Sequence, residues 1–324
     1  MIYYFIPKYS EASWGIGMLY QHVDMLQRNG IEATVLHEKK GRRLRWMKSE
    51  LALTSKDLGS FEPQPNDVLV VPELWADNET LRRVNCRRLV FVQGSFLMLH
   101  QLRSAIDYQT LGFEHAIVTQ PHIQSIVEKH FDVQASVIPA FVAPQFFLDR
   151  QAILNQTRTR QVLTYPKAGY QALGLPDYDI VIRFLKRKLA NHSQSRNEWS
   201  LVELKNKTHQ EVAELMQASA FFVNVNSLEG FNVTVPEAMA SGCISICYDA
   251  IGGRDYLRDK YNAYVFNNHE AYALLDRLFD LIDRYEHMQQ ELEQMRLNAY
   301  GTACEYTMAH TEKYLLAFFH SFLG

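Results

Sequence analysis

The chain is poor in cysteine. Four among 324 residues, Cys86, Cys243, Cys247 and Cys304, are too few and too scattered for a disulfide scaffold. A reducing compartment fits that usage. No apolar run approaches the roughly 20 residues of a membrane-spanning helix. The opening Met1-Ile-Tyr-Tyr-Phe-Ile-Pro7 has no basic region and no small-residue cleavage site, so the expected location is the cytoplasm. Charge of one sign is lacking too. The 33 Lys and Arg against 36 Asp and Glu leave a net charge of -3, which gives no field to hold the protein on nucleic acid. With 15 Gly and 10 Pro the chain is neither collagen-like nor low-complexity. What remains is a globular composition, 47% hydrophobic, long enough for about two domains at roughly 100–200 residues each.

The apolar run Ile2 to Ile6 reads as a buried strand, Gly15-Ile-Gly17 as a glycine loop, and Met18, Leu19, Val23 and Leu26 as one face of a helix. Asn29-Gly30 stops that helix and Ile31 to His37 alternates as a second strand, giving a βαβ opening. Further strands are expected at 67–71, 88–92, 115–119 and 135–138. The polar stretch 149–161 breaks the rhythm and marks a domain boundary. A second α/β half follows, with strands at 162–165, 201–204, 220–225, within 241–248, and at 263–266, and a helical tail from Ala271 to Leu323. Cys243 and Cys247 fall on one face of a strand as core thiols, with no second Cys or His pair to make a metal site. Asp177-Tyr-Asp179 imitates a two-carboxylate metal clamp, but the apolar Ile180-Val-Ile after it points to an element start. The basic stretch 39–48, with Trp46, reads either as a solvated loop or as a contact to anionic lipid or an acidic acceptor.

The chemistry concentrates in Asn224-Val-Asn-Ser-Leu-Glu229-Gly-Phe-Asn-Val-Thr-Val-Pro236-Glu237-Ala-Met-Ala-Ser-Gly242. Strand, loop and short helix follow in order, with Pro236 expected at the first helical position and Gly242 just past the end. The amides of Gly230, Phe231, Asn232 and Val233 and the helix start form an anion site that suits a diphosphate. Glu229 and Glu237 flank it, and carboxylates so placed grip vicinal hydroxyls. Either alone reads better as a surface loop residue, for Glu229, or a helix-dipole partner, for Glu237.

Together, the Glu-x7-Glu pair, Gly230-Phe231 and the Pro-Glu-Ala-Met-Ala-x-Gly helix resemble the signature of the retaining glycosyltransferases of family 4. Thr208-His-Gln-Glu211, Ile138-Pro139 up to Phe147, Gly252-Gly253 and Tyr261-Asn262-Ala263 extend the resemblance in order. It implies the GT-B fold, α/β with two Rossmann-like domains facing across a cleft. Residues 1–148 would form the acceptor-side domain, 149–304 the nucleotide-sugar domain, and 305–324 a helix crossing back to the first.

It further implies a nucleotide-sugar donor and a glycan or lipid-linked saccharide acceptor, as in polysaccharide biosynthesis, with retention of configuration and neither metal nor other cofactor. Peripheral membrane contact through 39–48 would go with a lipid-linked acceptor. Glu229 would contact the donor sugar and Glu237 the ribose. Lys205 and its loop would receive the base, Lys167 the phosphate, and Gly15 and Gly17 would let the first domain approach the donor. Gln93 stands where such enzymes often carry a histidine, and it is the candidate sugar or acceptor contact, able to hydrogen-bond but not to titrate. Asn232 replaces a glycine and tolerates a left-handed backbone. The alternatives are a catalytically silent sugar- or nucleotide-binding subunit of a transferase complex, a GT-B phosphorylase or epimerase, and a Rossmann oxidoreductase. The last would need a third glycine after Gly15-Ile-Gly17.

Overall fold

The computed structural model describes residues 1–8, 13–38, 56–98, 107–165, 177–192 and 198–324. Lys167, His100 and the basic stretch 39–48 lie outside them. In chain order the strands and helices are β1 (Ile2–Ile6), α1 (Trp14–Arg28), β2 (Ala33–His37), β3 (Lys56–Asp57), β4 (Val68–Pro72), α2 (Glu79–Arg82), β5 (Arg87–Val92), β6 (His115–Val118), α3 (Pro121–His130), β7 (Ala135–Val137), α4 (Arg150–Asn155), β8 (Thr159–Thr164), α5 (Asp177–His192), β9 (Ser200–Glu203), α6 (His209–Ala218), β10 (Ser219–Asn224), α7 (Thr234–Ala240), β11 (Ile244–Tyr248), β12 (Tyr264–Phe266), α8 (Ala271–Asp283), α9 (Gln289–Ala303) and α10 (Met308–Leu323).

The chain forms two compact units, Met1–Ala140 with Ala309–Gly324, and Phe141–Met308. The change of unit therefore falls before Phe141, and the polar stretch 149–161 lies inside the second unit, where it forms α4 and the start of β8. The two crossing strands of chain lie side by side, with the Val142 N–H donating to Tyr306 O at 2.8 Å.

The first unit is built on a seven-stranded sheet in the order β3-β2-β1-β4-β5-β6-β7, every pair parallel. β1, β2 and β4 are buried along their whole length; β1 and β4 accordingly read as continuous apolar runs, whereas Thr34 and His37 give β2 its alternating pattern although both are buried too. The glycines are placed differently from expectation. Gly15 and Gly17 lie within the first turn of α1, which Ser13 caps from outside, so they belong to the helix start and not to a loop before it. α10 belongs to this unit: Arg28 donates through Nε and Nη2 to the two carboxylate oxygens of Glu312, both at 2.6 Å, and Thr311 Oγ1 donates to Pro139 O at 2.8 Å.

The second unit carries a five-stranded parallel sheet, β12-β11-β10-β8-β9. Its core centres on Trp199 stacked on Phe221, 5.3 Å between centroids, under Tyr285 and the apolar faces of α5 and α8. Cys243 and Cys247 are buried free thiols, and burial pushes both above the usual thiol range. In each sheet the strand order reverses once, between β1 and β4 in the first and between β8 and β10 in the second. Ligands of open parallel sheets bind outside the carboxyl ends of the strands at such a point.

Candidate active site

In the second unit, β10 ends at Asn224, a buried amide at the edge of an apolar strand. Its Nδ2 donates to Asn232 Oδ1 at 3.1 Å and to Thr234 Oγ1 at 2.9 Å, and its Oδ1 accepts from the Asn226 N–H at 2.9 Å. One side chain thus staples the loop 225–234. Asn232 adopts φ +56°, the left-handed conformation that its short polar side chain tolerates. Within this loop Asn226 Nδ2 donates to Glu229 Oε1 at 3.1 Å.

A second loop clamps the first. The Glu229 N–H donates to Ala250 O at 2.9 Å, and Glu229 pairs with Ile251 in an isolated bridge. Ala250 and Ile251 have φ of +51° and +67°, an arrangement costing roughly 1–3 kcal/mol per residue and persisting only where the surroundings enforce it. Gly252 follows against the backbone of Glu229 and Gly230; a Cβ there would stand 2.6 Å from Glu229 O. Asp249 holds the turn, accepting from the Ile251 N–H at 3.0 Å and from Arg254 Nε at 2.8 Å.

α7 begins at Thr234, so Pro236 is its third residue and not its first, and no side chain caps its start. Pro236 is still tolerated, because the first four helical N–H groups have no intrahelical partner. The helix ends as the sequence implies. Gly242 has φ +68°, its N–H donates to Met239 O at 3.1 Å, and the Cys243 N–H donates to Ala238 O at 2.9 Å, the paired bonds of a Schellman end. Buried Arg158 donates to the carbonyls of Ser241 and Gln217 beside it.

Glu237 lies on α7 and is 2% exposed. Burial pushes its carboxyl above the usual range, opposed by the hydrogen bond and charge of His209. His209 Nε2 lies 3.0 Å from Glu237 Oε1, its Nδ1 lies 2.9 Å from Gln145 Nε2, and its ring meets Phe146 edge-on. Tyr165, the residue after β8, has its hydroxyl pushed up by burial and then by the charges of Glu237 and Glu229, which places both carboxylates within electrostatic reach of one phenol. Lys205 is exposed after β9. Asp177 opens α5 and accepts from His269 Nδ1 at 3.0 Å. Among the described residues no group of three or more His, Cys, Asp or Glu could hold a metal ion, and no helix is long and apolar enough to cross a membrane.

In the first unit the structure brings Gln93 and Gly15 together: Gln93 Nε2 donates to Gly15 O at 3.1 Å. Beneath them stands Glu73, 3% exposed, accepting on Oε1 from the N–H groups of Gln93 and Gly94 at 3.0 and 3.2 Å. Burial pushes its carboxyl up to about 7 against those bonds. Sequence reasoning misses Glu73, His209 and Asn224 as site residues. The signals are there: a carboxylate directly after the apolar run Val68 to Pro72, and an amide closing an apolar strand. His209 enters the sequence pattern only as the second residue of Thr208-His-Gln-Glu211, which the structure folds as a capping box.

Over nearly its whole length the chain superposes on solved glycosyltransferase structures. A glycosyltransferase from Rickettsia africae ESF-5 matches with a TM-score of 0.68 at 10% identity, over 99% of this chain and 98% of that one. The sucrose-phosphate synthase of Thermosynechococcus elongatus matches with a TM-score of 0.69 at 12% identity, over 99% and 98%. Anabaena HepE in complex with UDP gives 0.67 at 10%, over 99% and 100%. The chain has the GT-B fold. Residues 185–301 of this GT-B chain match the glycosyl transferases group 1 family, a segment that holds Glu229, Glu237 and both clamping loops. No curated protein sequence matches the chain.

Proposed function

We propose that this GT-B chain is a retaining glycosyltransferase of family 4 that moves a sugar from a nucleotide-sugar donor to a glycan or lipid-linked saccharide acceptor without a metal ion. The observation that carries this reading is the placement of Glu229 and Glu237 on a doubly clamped loop and the helix after it, following the strand at the reversal point of the second sheet. The group 1 match over the same residues and the UDP held by Anabaena HepE support it. Glu237 receives the ribose hydroxyls and Glu229 the donor sugar. The amides of 230–233 receive the diphosphate and Lys167 is assigned to it by sequence, and they ease its departure by neutralising the charge that develops on it. Arg254, on the turn that touches Gly230, is the candidate second cation, and Lys205 borders the base. On the first unit Gln93 commits its side-chain N–H to Gly15 O, so its Oε1 is left to accept from an acceptor hydroxyl.

Calorimetry with UDP, GDP and ADP and their sugar conjugates, without added metal, tests the assignment. Glu237→Ala is expected to weaken the nucleoside diphosphate itself, and Glu229→Ala to spare it while removing the additional affinity of the sugar conjugate. Identical affinities in both variants contradict the roles. Turnover with a saccharide acceptor separates a transferase from a silent binding subunit.

A further inference from the structure

An ionised carboxylate as buried as Glu237 is stable only when hydrogen-bonded. Among the described residues its side chain has one such partner, His209 Nε2 on Oε1, and its other oxygen has none. The far side of the imidazole fixes the proton. Gln145 Nε2 can only donate, so His209 Nδ1 accepts and the ring hydrogen stands on Nε2, directed at Glu237. Phe146 sets the ring plane at 4.9 Å between centroids. The Thr208/Glu211 capping box pins the backbone, since His209 is the first residue of α6. The carboxylate therefore stands at the end of an ordered line that begins at Gln145.

We propose that Gln145 and His209 are a positioning pair for the ribose-binding carboxylate: they occupy Glu237 Oε1, favour its ionised form at a buried position, and leave its second oxygen for the ribose hydroxyls. The inference rests on the reading of Glu237 as the ribose residue. No other charge among the described residues acts on Glu237, and Tyr165, pushed up from an already alkaline value, stays neutral between pH 5 and 8. Over that range the behaviour of the site is set by the His209–Glu237 pair. Without the histidine donor, the carboxyl should take up a proton at higher pH and lose its grip on the ribose there.

The test compares the full chain with His209→Phe, which keeps a ring against Phe146 but no nitrogen, and His209→Gln, which restores a donor at similar reach. UDP, GDP and ADP binding is measured by calorimetry at pH 6 and pH 8. His209→Phe should lose about tenfold at pH 8 and clearly more at pH 6, and His209→Gln should recover to within about threefold of the parent. A loss equal at both pH values, or no recovery in a folded His209→Gln, overturns the pair. If the parent binds none of the three nucleotides, the ribose reading fails instead. A ligand-free melt then still tests the coupling. The Tm deficit of His209→Phe should widen from pH 4.5 to 7.5, as Glu237 ionises beside a ring that cannot donate, and a constant deficit overturns it.

Discussion

Each unit buries a glutamate after a strand that borders its sheet's reversal point, Glu73 after β4 and Glu237 after β10, yet the two are held in opposite ways. Glu73 accepts from two main-chain N–H groups at the end of β5. Glu237 is held by a histidine whose side chain is 53% exposed. Main-chain donors belong to the sheet and do not leave, so Glu73 acts as a strut that fixes Gln93 and, through it, the start of α1. A half-exposed side-chain partner leaves room beside it, so Glu237 can serve a ligand. Burial of a carboxylate is common to both; the exposure of what holds it sets Glu237 apart from Glu73.

The largest effect that could break this comparison is on nucleotide affinity. Glu237→Ala should weaken nucleoside diphosphate binding about 100-fold, near 3 kcal/mol for a charged hydrogen-bonded group, whereas Glu73→Gln should leave it within about twofold. Equal losses in calorimetry would mean that both are structural.

Next comes stability. The Glu73 carboxyl is raised from 4.5 to about 7 by burial, so the folded state holds the proton more tightly than the unfolded chain. Its contribution is intact below about pH 4.5 and is lost as pH rises through about 7. Glu73→Gln should therefore raise stability at pH 8 by roughly 2–3 kcal/mol and leave it unchanged near pH 4.5, as read from urea melts at both pH values. His22 supplies the opposite limb. Burial lowers its ring to about 3, so it favours the fold above about pH 6.5 and that support is lost as pH falls towards 3; His22→Phe should flatten the acid side of the melting curve.

Two glycines give the smaller effects. Gly252→Ala sets a Cβ against the backbone of both Glu229 and Gly230, and should cost about 1–3 kcal/mol while reducing the sugar contribution to donor binding. Gly15→Ala meets only the end of the Gln93 side chain, 2.5 Å from Oε1. Its helix-propensity gain of about 1 kcal/mol offsets moving that amide, so Tm should change little.

The central parallel strands are legible in the sequence because they are buried on both faces, and the end of α7 because glycine is favoured at the left-handed position after a helix, where a Cβ on Gly242 would also press on Ile153. The start of α7 is not. A proline fixes φ but not the helix register, and Thr234 and Val235 join the helix ahead of Pro236. Gly15 and Gly17 mislead because glycine marks a loop in most contexts, whereas here it admits the Gln93 amide against a helix. β3 is two residues long, too short to leave a pattern. Glu229 and Glu237 can be picked out because their spacing and flanking glycines are local in sequence. Gln145, His209 and Glu237 are remote from one another along the chain, and only the fold brings them into line.

The central claim is that the second unit binds a nucleoside diphosphate at the Glu229–Glu237 segment. Hydrogen–deuterium exchange over the whole chain, with and without saturating UDP, GDP or ADP, tests it most directly. The account predicts protection of 204–209 and 224–237 with one of the three, and none around Glu73 and Gln93. Protection centred on the first unit, or none with any of them, would contradict it.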